Sequence, residues 1–289
     1  MSDREPASSA ALRRVAVLGA GGRLGRPVVA ALNQAGVAVR AVERTARSGG
    51  PDVEVVGADV EDREALTRAL DGCDAVHISV SGPSEGIAAE NVARVAKDLS
   101  ISRVGYISGS ATFEHNAGWP VVKTKLTAER ALRDSGVGYT IFCPSFAMEV
   151  LPMHVGGGRA TYFGRQPYPF HWLAADDLAD VVVRALADPG AAGERYFVRG
   201  PEALSMRETL ERYCDALHPE MKVSSMPFWM TSALAFVLRS RGLKIANEVY
   251  RMYEGVGGDG GDPGSTNDRF GAPSTTLDVW LERKRSEKR

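Results

Sequence analysis

Arg14-Val-Ala-Val-Leu18-Gly19-Ala-Gly-Gly22-Arg-Leu-Gly25 is the stretch on which the reading of this chain turns. An apolar run of strand length enters three glycines spaced Gly19-x-x-Gly22-x-x-Gly25, and Leu24 to Ala35 then reads as a helix closed by Gly36. A strand, a glycine turn and a helix in that order form a phosphate-binding corner. The first glycine permits the tight turn, the second lets the backbone approach a pyrophosphate, and the third lets helix and strand pack closely. The helix N-terminus adds unpaired N–H groups and the positive end of its dipole. The sequence thus predicts a dinucleotide site on Gly19, Gly22, Arg23, Leu24 and Gly25.

Outward from this corner, short apolar runs alternate with helical segments. Val37 to Glu43 and Val53 to Val56 read as strands, and Asp62 caps a helix through Leu70. Asp74 to Val80 is a fourth strand, Ile87 to Leu99 a helix and Arg103 to Ile107 a fifth strand. Val121 to Ser135 is a long helix ended by Gly136, and Tyr139 to Cys143 a sixth strand stopped by Pro144. Such alternation means right-handed βαβ units around a doubly wound parallel sheet, an α/β fold. The second half is less regular. Asp176 to Ala187 reads as a helix, Arg195 to Val198 as a strand, and Ser205 with Glu208 as a capping box opening a helix to Leu217. Gly255 to Gly264 reads as a mobile loop and Leu277 to Lys284 as a last helix. The expected division is a flexible tail at 1–13, a dinucleotide-binding domain at 14–150, and a smaller C-terminal substrate or lid region at 151–289, partly interleaved with the first.

Bulk properties narrow the function. The 289 residues are 44% hydrophobic and 25% charged with a net charge of -1, so nothing global argues for nucleic acid or an anionic membrane as partner. Cys73, Cys143 and Cys214 lie far apart and show no paired spacing, which predicts reduced thiols, no metal site and a cytoplasmic setting. His77, His115, His154, His171 and His218 form no helical metal pair. Val15 to Leu18 is too short for a signal-peptide core. The longest apolar candidate, Met226 to Leu238, is broken by Pro227, Thr231 and Ser232 and reads as an amphipathic helix packed on the body, or a lid.

The end of the second strand bears on cofactor choice. A carboxylate there grips a ribose 2′-hydroxyl, whereas a cation accepts a 2′-phosphate. Glu43 and Arg44 are neighbours that strand alternation turns to opposite sides. Arg44 and Arg47 lie where the phosphate would rest, so NADP(H) is favoured over NAD(H). Asp59 and Val60 are placed to edge the adenine, with Asp59 alternatively a turn former. Ser79 and Val80 end the fourth strand at the carboxyl edge, where ligands of parallel sheets lie.

Taken in order, several segments resemble the NmrA-like group of atypical short-chain dehydrogenases/reductases. They are the glycine turn, Arg44, Gly57-Ala-Asp59, Ser108-Gly-Ser-Ala-Thr112, Thr124-Lys-Leu-Thr-Ala-Glu-Arg130, Ser135 to Ser145, Asp176-Asp-Leu-Ala-Asp180 and Gly200 to Ser205. The resemblance implies a Rossmann-type sheet and a Ser, Tyr, Lys catalytic set with Tyr four residues before Lys. It places Ser110 as the serine, Lys125 as the nicotinamide-ribose anchor, and Ser108, Pro144 and Phe146 among the cofactor contacts. The tyrosine position is Val121, which donates no proton. His115, in the loop before the long helix, is a candidate donor in its place, and water is another. The aromatic run from Phe146 to Trp172 suits a flat apolar substrate. Three functions are compatible: an NADP(H)-dependent oxidoreductase acting on a quinone-like or conjugated small molecule, a non-catalytic dinucleotide-sensing regulator, or a non-redox isomerase or lyase that retains its cofactor.

Overall fold

A computed structural model of the chain describes residues 12–45 and 53–287. Arg47 and nearly all of the expected tail at 1–13 lie outside the described residues.

The chain opens with β1 (Arg14–Leu18), α1 (Gly25–Gln34), β2 (Ala38–Glu43), β3 (Val53–Gly57), α2 (Arg63–Leu70) and β4 (Ala75–Ile78). Next come α3 (Glu85–Asp98), β5 (Arg103–Ile107), α4 (Pro120–Asp134) and β6 (Gly138–Pro144). Short strands β7 (Val155–Gly156), β8 (Arg159–Phe163) and β9 (Phe170–Trp172) precede α5 (Ala175–Ala187), β10 (Glu194–Val198) and β11 (Glu202–Leu204). The rest is α6 (Met206–Leu217), β12 (Lys222–Met226), α7 (Phe228–Val237), α8 (Arg241–Val256), α9 (Gly264–Phe270) and α10 (Leu277–Glu287).

Seven parallel strands in the order β10-β6-β5-β4-β1-β2-β3 form the central sheet. The order reverses beside β1, so the glycine turn opens at the switch point where α/β sheets bind ligands. β1 shows why its sequence is uninterruptedly apolar. Ala16 and Leu18 face one core layer with α2, α3 and α4, whereas Val15 and Val17 face the other with α1, α5 and α9. A strand covered on both faces has no polar side to write into the sequence. The doubly wound α/β expectation therefore holds. α5 and β10 lie beyond residue 150 yet complete the sheet.

A third apolar cluster joins α4 and Phe146 to β8, β9, α6, α8 and α10 through Trp172, Met206, Tyr250 and Trp280. It docks the C-terminal part over the carboxyl edge of the sheet. Two sequence expectations fail here. Gly255 to Gly264 is not a loose loop: α8 runs to Val256, and the glycines that follow press on the body. A Cβ on Gly260 would lie 2.6 Å from the Ser110 carbonyl oxygen, and one on Gly261, at φ +80°, would overlap the Phe197 ring. Glycine there permits close approach. The other failure is in the packing of Met226 to Leu238: the stretch forms a helix as expected, but α7 buries only Thr231 and Ala235. The helix is apolar on every face, so no polar side marks which way it should point.

Candidate active site

The glycine turn has no room for side chains. Gly19 has φ +74°, and a Cβ there would lie 2.7 Å from the Ser79 carbonyl oxygen. A Cβ on Gly25 would overlap the Gly19 carbonyl. Gly19 N–H donates to Val42 O at 3.0 Å and Gly22 N–H to Gly19 O at 2.9 Å, closing the turn. α2 and α6 begin with side-chain caps, Asp62 and Ser205, but Leu24 at the start of α1 provides none. The Arg26 N–H donates to Gly22 O at 3.0 Å and Pro27 carries none, so the amides before them, where the turn enters α1, face the cradle, which fits a dinucleotide pyrophosphate.

Of the two candidates ending β2, Glu43 faces the turn. A Cβ on Gly21 would lie 2.6 Å from Glu43 Oε1. Arg44 follows, exposed. Asp59 Oδ1 accepts the Glu61 N–H at 3.0 Å, and the Val60 carbonyl accepts from Asn91 Nδ2 at 3.0 Å, which fixes this corner as an Asx turn. Ser79 extends β4, its N–H donating to Leu18 O at 2.9 Å and its hydroxyl 3.2 Å from His77 Nε2. Val80 follows, half-buried.

α4 sets the other side. Val121 and Lys125 stand one turn apart on it. Lys125 Nζ donates to Glu85 Oε2 at 3.0 Å and to Ile107 O at 3.4 Å, which leaves one N–H for a ligand. The Lys125 and Glu85 side chains are 17% and 3% exposed. Glu85 also accepts from Tyr106 OH at 2.8 Å and Gly82 N–H at 2.9 Å, so the ammonium is aimed by a carboxylate that is itself fixed. Burial, with Glu85 beside it, holds the Tyr106 hydroxyl well above its ordinary range and keeps it a donor. A Cβ on Gly109 would touch the Lys125 stem at 3.7 Å, so the loop after β5 covers that stem.

Ser110 lies in that loop, wholly buried. Its hydroxyl donates to Asp259 Oδ1 at 3.3 Å, and because its one proton points there, the Tyr253 hydroxyl 3.4 Å away donates to it. Asp259 Oδ2 accepts the His171 N–H at 2.7 Å. His171 Nδ1 lies 3.4 Å from the same oxygen without the alignment of a hydrogen bond. Burial pushes the Asp259 carboxyl above the usual carboxylate range. Burial and the nearby Asp259 raise the Tyr253 phenol. α8 brings Tyr253 here by crossing the start of α4, where Glu248 Oε1 accepts the Val121 N–H at 2.8 Å.

Other expected residues have different surroundings. His115 is exposed on a 3₁₀ turn, stacked on Phe113 with centroids 5.3 Å apart. Ser108 donates to Glu129 Oε1 at 2.5 Å, and Glu129 is buried between Arg133 at 2.7 Å and Arg195 at 3.4 Å. The Ser108 hydroxyl is thus committed to α4. The Pro144 carbonyl accepts the Ser110 N–H at 3.1 Å. Phe146 packs on Phe170 at 4.7 Å and Tyr253 at 5.0 Å, so aromatic rings fill the space beside Ser110. All three cysteines are buried and free, and burial pushes the Cys143 thiol up to about 12. Among the described residues no group of His, Cys, Asp and Glu could hold a metal ion.

Glu85, His171, Tyr253 and Asp259 were not singled out as site residues from the sequence. Asp259 left a trace, as one of two acids in a stretch of glycines that allow close approach, and His171 lay within the aromatic run.

Residues 19–189 match the family of NAD(P)H-binding proteins. The chain is 36% identical over 201 residues to a (4-alkanoyl-5-oxo-2,5-dihydrofuran-3-yl)methyl phosphate reductase of Streptomyces griseus, covering 67% of this chain and 70% of the relative. It is 26% identical over 204 residues to an NAD(P)H azoreductase of Xenophilus azovorans, covering 67% and 70%. Its fold matches that of a Citrobacter triphenylmethane reductase complexed with NADP(H) at a TM-score of 0.73 and 19% identity, over 93% of this chain and 99% of the other. A glycine cradle at the switch point of a Rossmann-type sheet, in a chain that matches this family over more than half its length, makes the protein a member of the NAD(P)H-binding family.

Proposed function

We propose that the protein is an NADP(H)-dependent oxidoreductase acting on a conjugated or quinone-like small molecule, with Tyr253 as proton donor in place of the absent α4 tyrosine. The observation that carries this reading is Ser110 bonded at once to Tyr253 and Asp259, in the loop that covers Lys125. The reductases among the relatives support the reaction class, and the NADP(H) complex of the structural neighbour supports the cofactor.

In this reading the glycine turn binds the pyrophosphate, Arg44 the 2′-phosphate and the free N–H of Lys125 the nicotinamide ribose. Bound NADPH would supply hydride to the acceptor carbon. When Tyr253 turns its O–H from Ser110 to the acceptor oxygen, the Ser110 hydroxyl 3.4 Å away is placed to donate to Tyr253 Oη. As negative charge grows on the acceptor oxygen, Tyr253 gives up its proton to it, and the hydrogen bond from Ser110 steadies the phenolate. The phenolate regains its proton from solvent before the next turnover. Val121 has no part in this, and neither has His115.

The test follows NADPH absorbance against a panel of quinones and enones. Tyr253→Phe is expected to lower kcat by about 10²–10⁴ while NADPH Kd stays unchanged. An unaltered kcat would remove Tyr253 from the chemistry. The aromatic packing beside Ser110 favours one second reading, a dinucleotide-sensing protein without turnover. Tight NADPH binding with no oxidation across the panel is the result that reading expects.

A further inference from the structure

α7 is apolar, yet it points away from the protein. Trp229, Phe236 and Val237 are 70%, 85% and 74% exposed, and Leu238, at the helix end, is 60% exposed. Positions 229, 233, 236 and 237 follow the i, i+4, i+7, i+8 spacing of one helical face. The opposite face, Thr231 and Ala235, is buried, and Ser232 accepts from Asn247 Nδ2 of α8 at 2.8 Å. Scattered exposed hydrophobics need no explanation, but a continuous face of this kind marks an interaction surface.

Charge identifies the occupant. From Pro227 to Asn247 there is no acidic residue, and Arg239, Arg241 and Lys244 supply three cations in a protein whose net charge is -1. All three are exposed. None of them forms an ion pair among the described residues. A second copy on this face in a two-fold contact would set the patch against itself, cations toward cations. Anionic headgroups answer both features: aromatic side chains enter the interface while the basic residues meet the phosphates. We infer that the α7–α8 hairpin is a monotopic docking element for an anionic lipid surface.

The hairpin also adjoins the cleft. A Cβ on Gly82, in the segment after β4, would lie 3.9 Å from Ile245 Cδ1 of α8. Further along the same helix, Tyr253 reaches Ser110. On the oxidoreductase reading, an apolar acceptor dissolved in the lipid enters from this side. The docking itself does not depend on turnover, and its test uses none.

Flotation of the full chain with vesicles is the experiment, using phosphatidylcholine alone and phosphatidylcholine mixed with phosphatidylglycerol. The protein is expected to float with the anionic vesicles, less with the neutral ones, and less in high salt. Phe236→Ser/Val237→Ser and, separately, Arg239→Glu/Arg241→Glu should each weaken partition by about tenfold while circular dichroism stays that of the parent. All four positions are exposed, so folding should survive. Absence of flotation, or flotation indifferent to both pairs, overturns the inference. So does a dimer in sedimentation equilibrium that Phe236→Ser/Val237→Ser dissociates while no vesicle binding is seen, because the occupant is then a second copy.

Discussion

Replacing Lys125 with Met separates two roles of one side chain. Met keeps the length and removes the ammonium. Glu85 is left 3% exposed, holding only Tyr106 OH and Gly82 N–H as donors. Breaking a buried ion pair from one side costs about 3–5 kcal/mol, and the two remaining donors put this case near 3 kcal/mol. Glu85→Gln differs, because the Lys125 side chain is 17% exposed and its ammonium reaches water. An amide oxygen can still accept from Tyr106 or Gly82, so the cost should be about 1–2 kcal/mol. Glu85→Gln/Lys125→Met removes both charges together, and should cost about 2 kcal/mol less than the sum of the single changes. Urea unfolding followed by circular dichroism measures this cycle, and an NADPH titration on the same four proteins measures the other role. The double variant is then no less stable than Lys125→Met alone. Cofactor affinity does not recover, because the N–H proposed for the ribose is gone. A Lys125→Met cost below about 1 kcal/mol with strictly additive singles would refute the buried-pair argument. Recovery of NADPH affinity in the double variant would refute the ribose assignment.

Cofactor preference should be a balance between Arg44 and Glu43. Arg44→Ala is expected to weaken NADPH by about 10- to 100-fold and NADH little, whereas Glu43→Gln should tighten NADPH, both read by titration; equal weakening of the two cofactors by Arg44→Ala would reject the 2′-phosphate assignment. Stability should fall in acid because of His77, which is wholly buried and held down to about 3 by burial. Below an unfolded pKa of about 6.5 only the unfolded chain takes that proton, so His77 removes up to about 1.4 kcal/mol for each pH unit down toward its folded value. Unfolding curves of the parent and His77→Leu from neutral to acid pH should differ in slope by about one proton. His154, also lowered by burial, acts in the same direction and remains in both proteins. Gly25→Ala should abolish dinucleotide binding, since its Cβ overlaps the Gly19 carbonyl; retained binding by calorimetry would show that the turn can open. Cys143 should react with a thiol reagent only on unfolding, its thiol being buried and raised to about 12.

The nucleotide half of the site was legible because its signals are local. Gly19, Gly22 and Gly25 meet one another within a single turn, so their spacing alone encodes the cradle. Asp62 and Ser205 likewise cap helices two or three residues away. The β1 register was readable for a similar reason: a strand covered on both faces must be apolar at every position.

The reaction half was not legible, because its partners are brought together over long separations. Lys125 was singled out by the family resemblance, but the carboxylate that aims it, Glu85, lies 40 residues earlier on α3. Ser110 was readable as a loop hydroxyl, but Tyr253 and Asp259 lie 143 and 149 residues away. α7 was readable as apolar, but a helix apolar on all sides carries no mark of which side is buried, so its exposure had to be decided by what α8 left uncovered. The sequence alone determined a parallel α/β sheet with a dinucleotide turn. Tertiary structure alone decided which groups are brought beside Ser110 and which apolar face remains turned to the outside, because both depend on how the C-terminal helices cross the carboxyl edge of the sheet.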